Sequence, residues 1–238
     1  ADNDKKFIQN GLFGYMSYDA VRYFEDIEIT KKEGALEVPD IYYAVYQNII
    51  AINHFNNEAY IFSHTYKEEN NLSEIAQLLT VKSFAEYHFK LEGDQQSQMS
   101  DEAYIDLVKT CKKHCQRGDV FQIVPSKRFS QNFSGDEFNV YRSLRSVNPS
   151  PYLFFFDYGN FKIFGSSPEA QLIVKDGKAE IHPIAGTFKR TGNDEKDAVL
   201  AKKLSEDEKE NSEHVMLVDL ARNDLSRNGS NVKVETYR

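Results

Sequence analysis

The stretch YLFFFDYGNFKIFGSSPEAQLIVKDGKAEIHP, residues 152–183, decides the fold class. Tyr152–Asp157, Phe161–Gly165 and Ala170–Lys175 are short apolar or alternating runs, and Asp176-Gly177 is a two-residue hairpin turn leading into Lys178–Pro183. Strands this short and this close together, with no helix between them, form antiparallel pairs. Working back along the chain, Ile41–Ala51 and Glu58–His64 also read as strands, with Asn56-Asn57 as the turn. Asp119–Phe129 reads as strand-like too.

Helical patterns flank these runs. Ser100 reads as an N-cap before Asp101 and Glu102, with Tyr104, Val108, Cys111 and Cys115 repeating on one face and Gly118 ending the helix. Asp136–Arg145 and Asn193–Leu204 are further helical stretches, and Ser205, with Glu208 three residues on, reads as the cap of a last helix. Strands and helices that mix without regular βαβ alternation predict an α+β fold. One folded body of 1–238 is expected, with a possible internal seam at the polar run 91–100.

The composition narrows the function. The chain has 238 residues, 29 basic against 37 acidic, and a formal charge of −8. That balance argues against a nucleic-acid binder, which needs a basic face. With 40% hydrophobic residues the chain has enough apolar material for a core, yet no run approaches the roughly 20 residues of a membrane span. The polar start Ala1–Lys6 lacks the apolar stretch of a signal peptide, and Cys111 and Cys115 read as reduced thiols, so a cytoplasmic location is expected.

Three places could carry chemistry. Glu210 and Glu213 stand at i and i+3, followed on the same stripe by Leu217 and Leu220, so two acids sit at the edge of an apolar face. Such a pair suits a hard cation such as Mg2+, and it equally suits an acidic helix start that complements the helix dipole. Glu169, in Gly165-Ser166-Ser167-Pro168-Glu169, is placed for general acid or base work, or is an ordinary loop residue. Gly186-Thr187, in Pro183-Ile184-Ala185-Gly186-Thr187, offers N–H groups and a hydroxyl to an anion, or is a plain exit from a strand. His214 points away from Glu213 and reads as a packing or supporting residue.

In order and wording these segments resemble the chorismate-utilising enzymes, most closely the anthranilate synthase component I branch. Gly11–Tyr15 with Tyr18–Arg22, Gly118–Ser126, Asn148–Tyr152, Ser167–Glu169, Pro183–Thr187, and Glu213-His214 through Asn223-Asp224 carry the likeness. It implies antiparallel sheets packed with helices outside, a layered α/β/β/α sandwich. It also implies that Glu213 ligates Mg2+, that Glu210 supports it through water, and that Glu169 and Thr187 are catalytic. Gly186, Thr187 and Gln122 would bind chorismate, and Pro151, Tyr152 and Leu153 would form part of a tryptophan feedback pocket.

Two positions choose among the branches. Isochorismate and salicylate synthases carry a lysine where this sequence has Gln122, and aminodeoxychorismate synthases commonly carry one where it has Ala185. Neither side chain here is a nucleophile, so the resemblance implies ammonia delivered by a glutamine amidotransferase subunit, and a lyase yielding anthranilate and pyruvate. An aminodeoxychorismate or aminodeoxyisochorismate synthase, or a non-catalytic ligand-binding or docking fragment, is the alternative. Family members extend further on both sides, so the chain is expected to be truncated at both ends and inactive by itself.

Overall fold

The computed structural model describes residues 8–30, 36–65, 71–82 and 87–237. The polar start Ala1–Lys6 lies outside them. The chain divides into two compact units, one of Ala1–Asn139 with Phe156–Lys162 and one of Val140–Phe155 with Ile163–Arg238.

The first unit opens with β1 (Phe13–Met16), a single 3-10 turn (Tyr18–Tyr23) and β2 (Ile41–Ala44), which pairs antiparallel with β1. Arg22 and the Tyr23 hydroxyl converge on Asp40 just before β2 and close the connection. Tyr15, Tyr42, Tyr158 and Phe161 form a cluster of tilted and edge-on rings with centroids 4.4–6.3 Å apart, and partial burial raises the Tyr15 and Tyr158 hydroxyl pKa values. Next come β3 (Asn48–Asn53) and β4 (Glu58–Ser63), an antiparallel hairpin in which Asn57 takes φ +56° at the turn. The predicted continuous strand 41–51 is therefore two strands in two different sheets. Its break, 45–47, lets Ile41–Ala44 serve β1 while Asn48–Asn53 serves β4.

After α1 (Leu72–Thr80) comes β5 (Lys90–Ser97), so most of the polar run read as a seam is a strand. Then α2 (Asp101–Arg117) follows as the sequence predicts. Ser100 Oγ accepts the Ala103 N–H at 3.2 Å, and Gly118, at φ +79°, closes the other end on the Cys115 carbonyl. Asp119 accepts from His114 and Arg117, and these two bonds hold its carboxyl below the ordinary range. Cys111 is buried and Cys115 exposed; both are free thiols.

The predicted strand 119–129 does not form: 120–128 is coil, and the strand β6 is Phe129–Ser134, antiparallel to β5. The reason is pairing. An extended run becomes a strand only where a ladder receives it, and β5 meets the chain from Phe129 onward. Phe121 and Val124, which carried the apolar pattern, are 94% and 81% exposed.

The helix α3 (Phe138–Val147) leads into the second unit, which holds the pair β7 (Tyr152–Asp157) and β8 (Lys162–Ser167), except for the tip at 156–162. The hairpin β9 (Ile173–Lys175) and β10 (Lys178–Glu180) follows, with Asp176 and Gly177 both at positive φ, +52° and +76°, as a two-residue primed turn requires. Two helices finish the unit, α4 (Asp194–Glu206), capped by Asn193, and α5 (Glu208–Asn228). The class is α+β, and every sheet among the described residues has two strands.

Little of this is deeply buried. Among the described residues only Ala20, Cys111 and Val218 form the buried apolar set, while Ile50, Ile52, Leu91 and Phe133 stay at least 44% exposed on their strands. Caps, turns and two-strand ladders therefore carry a large share of the order. No helix among the described residues is long and apolar enough to cross a membrane.

Two measurements test this reading. Ser100→Ala removes the α2 cap and should lower stability in denaturant titrations by about 1 kcal/mol. In the first unit, Lys162 lies 2.6 Å from Glu137, and this bond is the main cause of the lowered Glu137 pKa and of the raised Lys162 pKa. A depressed carboxyl stabilises above its unfolded pKa and loses that contribution as pH falls through its folded pKa. Glu137→Gln should thus cost stability at pH 7, and the deficit against wild type should vanish at pH values below the ordinary glutamate range.

Candidate functional site

The candidate residues of the second unit are gathered by two local devices. The first joins the Asn148–Tyr152 motif to the strand that leads to Glu169. Ser166 Oγ donates to the Asn148 carbonyl at 2.6 Å, so β8 is tied to the segment entering β7. Glu169 then sits on a turn in which its own N–H donates to Ser167 Oγ at 3.2 Å, with the residue exposed to solvent. Of the three residues expected to form an inhibitor pocket, Pro151 and Tyr152 are exposed and Leu153 is half-buried at the start of β7.

The second device is at the start of α5, where the sequence reading needs correction. The cap is Asp207, not Ser205: Asp207 Oδ1 accepts the Glu210 N–H at 3.0 Å, while Ser205 remains in α4 with its hydroxyl on the Lys202 carbonyl. The signal was present, since Asp207 followed three residues on by Glu210 is itself a capping-box spacing. In a full capping box the Glu210 carboxylate would return to the Asp207 N–H. Here that N–H is directed to the Leu204 carbonyl at 3.4 Å, and the Glu210 carboxylate lies instead against Gly186.

That contact is close. A Cβ on Gly186 would stand 2.8 Å from Glu210 Oε2 and 2.9 Å from Leu204 Cδ1, and the residue adopts φ +75°. Glycine is required twice over, by the left-handed backbone and by the space. The end of α4, the start of α5 and the Pro183–Thr187 loop therefore meet at one point, and Leu204, which no sequence pattern singled out, is part of it.

Around this point the polar groups are uncommitted. Among the described residues, the N–H groups of Gly186 and Thr187 and the Thr187 hydroxyl have no partner, and no Lys, Arg or His pairs with Glu210 or Glu213. Arg190, four residues beyond Gly186, is held by Asp197. Glu210 and Glu213 are both half-buried on successive turns of α5. No group of three or more His, Cys, Asp or Glu side chains among the described residues forms a metal cluster. His214 Nε2 bonds the Tyr237 carbonyl at 2.6 Å, which ties the 229–237 segment back along α5. Gln122 lies in the first unit, exposed on the coil after α2.

The sequence matches the family described as chorismate binding enzyme over residues 1–238. It is 39% identical to anthranilate synthase component 1 of Saccharomyces cerevisiae, over 92% of this chain and 47% of the yeast protein. Aminodeoxychorismate synthase component 1 of Bacillus subtilis is 37% identical over 92% of this chain and 48% of its own length. In three dimensions the chain is similar to the crystal structure of anthranilate synthase component I from Streptococcus pneumoniae, with a TM-score of 0.78 and 30% identity, covering 95% of this chain and 52% of that one. The chain spans about half the length of the curated relatives it matches. A match along every residue, together with a shared fold in a solved relative, settles its descent: this chain belongs to the chorismate binding enzyme family.

Proposed function

We propose that the protein is a Mg2+-dependent lyase of the anthranilate synthase component I type, converting chorismate and ammonia to anthranilate and pyruvate. The observation that carries this reading is the junction at Gly186, which sets unpaired donors for an anion beside Glu210, one turn from Glu213 on α5. Relatives with that activity in their names support the branch.

The donor set fits the ion. Mg2+ takes oxygen ligands, keeps several waters and is commonly held by one or two carboxylates together with its substrate. Glu213 would be the direct ligand and Glu210 would support it through water. When bound, the ion would neutralise the ring carboxylate of chorismate. The remaining work falls to this chain. The Gly186 and Thr187 N–H groups and the Thr187 hydroxyl would hold a substrate carboxylate, fixing the ring before any bond changes. Glu169, as general acid, would donate a proton to the C4 hydroxyl so that it departs as water while ammonia adds at C2.

Ammonia must come from outside, because neither Gln122 nor Ala185 supplies an amine. A glutamine amidotransferase subunit is the proposed source, tryptophan binding at Pro151, Tyr152 and Leu153 the proposed feedback control, and the cytoplasm the proposed location. The Bacillus subtilis relative favours a second reading, an aminodeoxychorismate synthase.

Product analysis separates the two. With chorismate, ammonium and Mg2+, the full-length protein should form anthranilate and pyruvate in equal amounts, and residues 1–238 by themselves should form none; accumulation of a 4-amino product without pyruvate by the full-length protein would replace the first reading by the second. Glu213→Gln should reduce anthranilate formation at least about 100-fold with an unchanged circular dichroism spectrum. Glu169→Gln should lose about 10²- to 10⁴-fold in kcat with little change in KM, the pattern of a group used in the transition state.

A further inference from the structure

The last turns of α2 carry two thiols on one face, with an apolar hollow beside them. Cys111 and Cys115 stand one turn apart, and both are free. Cys111 is only 8% exposed and has no hydrogen-bond partner among the described residues, whereas Cys115 is exposed. The two line a cavity of about 270 Å³ that extends to the coil after the helix, with Val108, Ile123 and Pro125 as its apolar lining. Tyr104 donates its hydroxyl to the Pro125 carbonyl at 3.3 Å and so holds that coil to α2. Nothing in the proposed lyase chemistry uses this hollow.

Helix geometry decides what the thiols can hold. Residues four apart on a helix keep their Cβ atoms about 5–6 Å apart, beyond the roughly 3.8 Å that a disulfide requires. One atom inserted between the sulfurs makes up the difference, so the pair suits a soft centre that bonds to both. Zinc does not qualify, because a structural zinc site is a closed tetrahedron and no group of three or more His, Cys, Asp or Glu able to hold a metal occurs among the described residues. His114, the neighbour of Cys115, is turned to Asp119 at 2.8 Å. A bare soft ion would leave the hollow empty. An apolar cavity of about 150 Å³ already accommodates a benzene ring, so a soft centre that carries an apolar group fills both parts of the site.

We infer that Cys111, Cys115 and the hollow beside them form a chelating site for trivalent organoarsenicals, with both thiols bonded to arsenic and the organic group lodged against Val108, Ile123 and Pro125. An organic arsine oxide, R–As=O, meets exposed Cys115 first. Its oxygen leaves as water with the two thiol protons while two As–S bonds form. Arsenic stays trivalent throughout, so no oxidant or reductant is needed. The second bond, to Cys111, is intramolecular, which strengthens the whole by about 10²-fold or more over a single As–S bond. The chelate therefore survives monothiols and yields to dithiols, which offer arsenic the same two bonds.

The test is native mass spectrometry of the full-length protein after treatment with equimolar phenylarsine oxide. Wild type should take up a phenylarsenic group that digestion locates on the peptide carrying Cys111 and Cys115, that withstands excess glutathione, and that leaves on adding dithiothreitol. Cys111→Ala and Cys115→Ser should each weaken retention at that peptide against glutathione at least about 100-fold. Cys115 is exposed, so its variant serves if replacing buried Cys111 unfolds the chain. No adduct at that peptide in wild type, or retention there by either folded variant equal to wild type, would overturn the site. The hollow has its own arm: methylarsine oxide offers the same two bonds with little to bury, and should be held about tenfold less tightly than the phenyl compound. Equal retention of the two would show that the thiols act without the hollow and would overturn the proposed ligand class.

Discussion

A missing side chain at position 186 sets the geometry of the second unit. Because Gly186 has no Cβ and sits at φ +75°, the Pro183–Thr187 loop can lie against Glu210 and Leu204. Any larger residue would push the loop away from α5, the helix whose start is fixed by Asp207. Three elements are positioned by this one contact: the segment leaving β10, the end of α4 and the beginning of α5. The site is thus built at a helix N-terminus whose backbone donor at Glu210 is already taken by the cap. What remains free are the side-chain carboxylates and the loop N–H groups, which are the groups a reaction can use.

Local chemistry was legible in the sequence, and long-range pairing was not. Ser100 and Gly118 bracket α2 because a cap hydroxyl and a left-handed glycine act within a few residues of themselves. Asp176-Gly177 makes its hairpin for the same reason. The run 119–129 failed because an apolar pattern cannot say whether a partner strand will be beside it, and β5 was hidden in a polar stretch. That Glu210 and Glu213 share one helix, and that Gly186 and Thr187 lie on the segment leaving a hairpin strand, was readable from spacing. That Glu210 turns from its own capping box to the loop depends on the Leu204 carbonyl taking the Asp207 N–H, a competition visible only in three dimensions.

The sparse burial has its own chemical logic. Isolated two-stranded hairpins are marginal in water, and strands such as β3 carry apolar side chains that are largely exposed. Unpaired strand edges beside such faces invite further pairing. The stability of the candidate site accordingly depends on anchored ends: Lys178 reaching Glu235 at 3.0 Å and His214 reaching Tyr237 both fasten the 229–237 segment to its unit.

The ladder between β5 and β6 also constrains the order in which the first unit can assemble. Ser97 faces Phe129, so the chain between them must close a loop of about 30 residues before a single rung forms, an entropic cost of about 3 kcal/mol. The 17 residues of α2 lie inside that loop. A helix with a good cap at one end and a glycine stop at the other forms in about a microsecond or less, far ahead of most non-local strand pairing. Once formed it replaces half of the flexible loop by a rod of about 25 Å, leaving fewer conformations to search. The rung from Ser97 to Phe129 then closes over a preformed helix, and the strands zip past the irregularity between Glu92 and Gln96 toward Lys90 and Ser134. Folding speed in this unit is thereby tied to helix nucleation at Ser100, a residue outside the paired positions of the ladder.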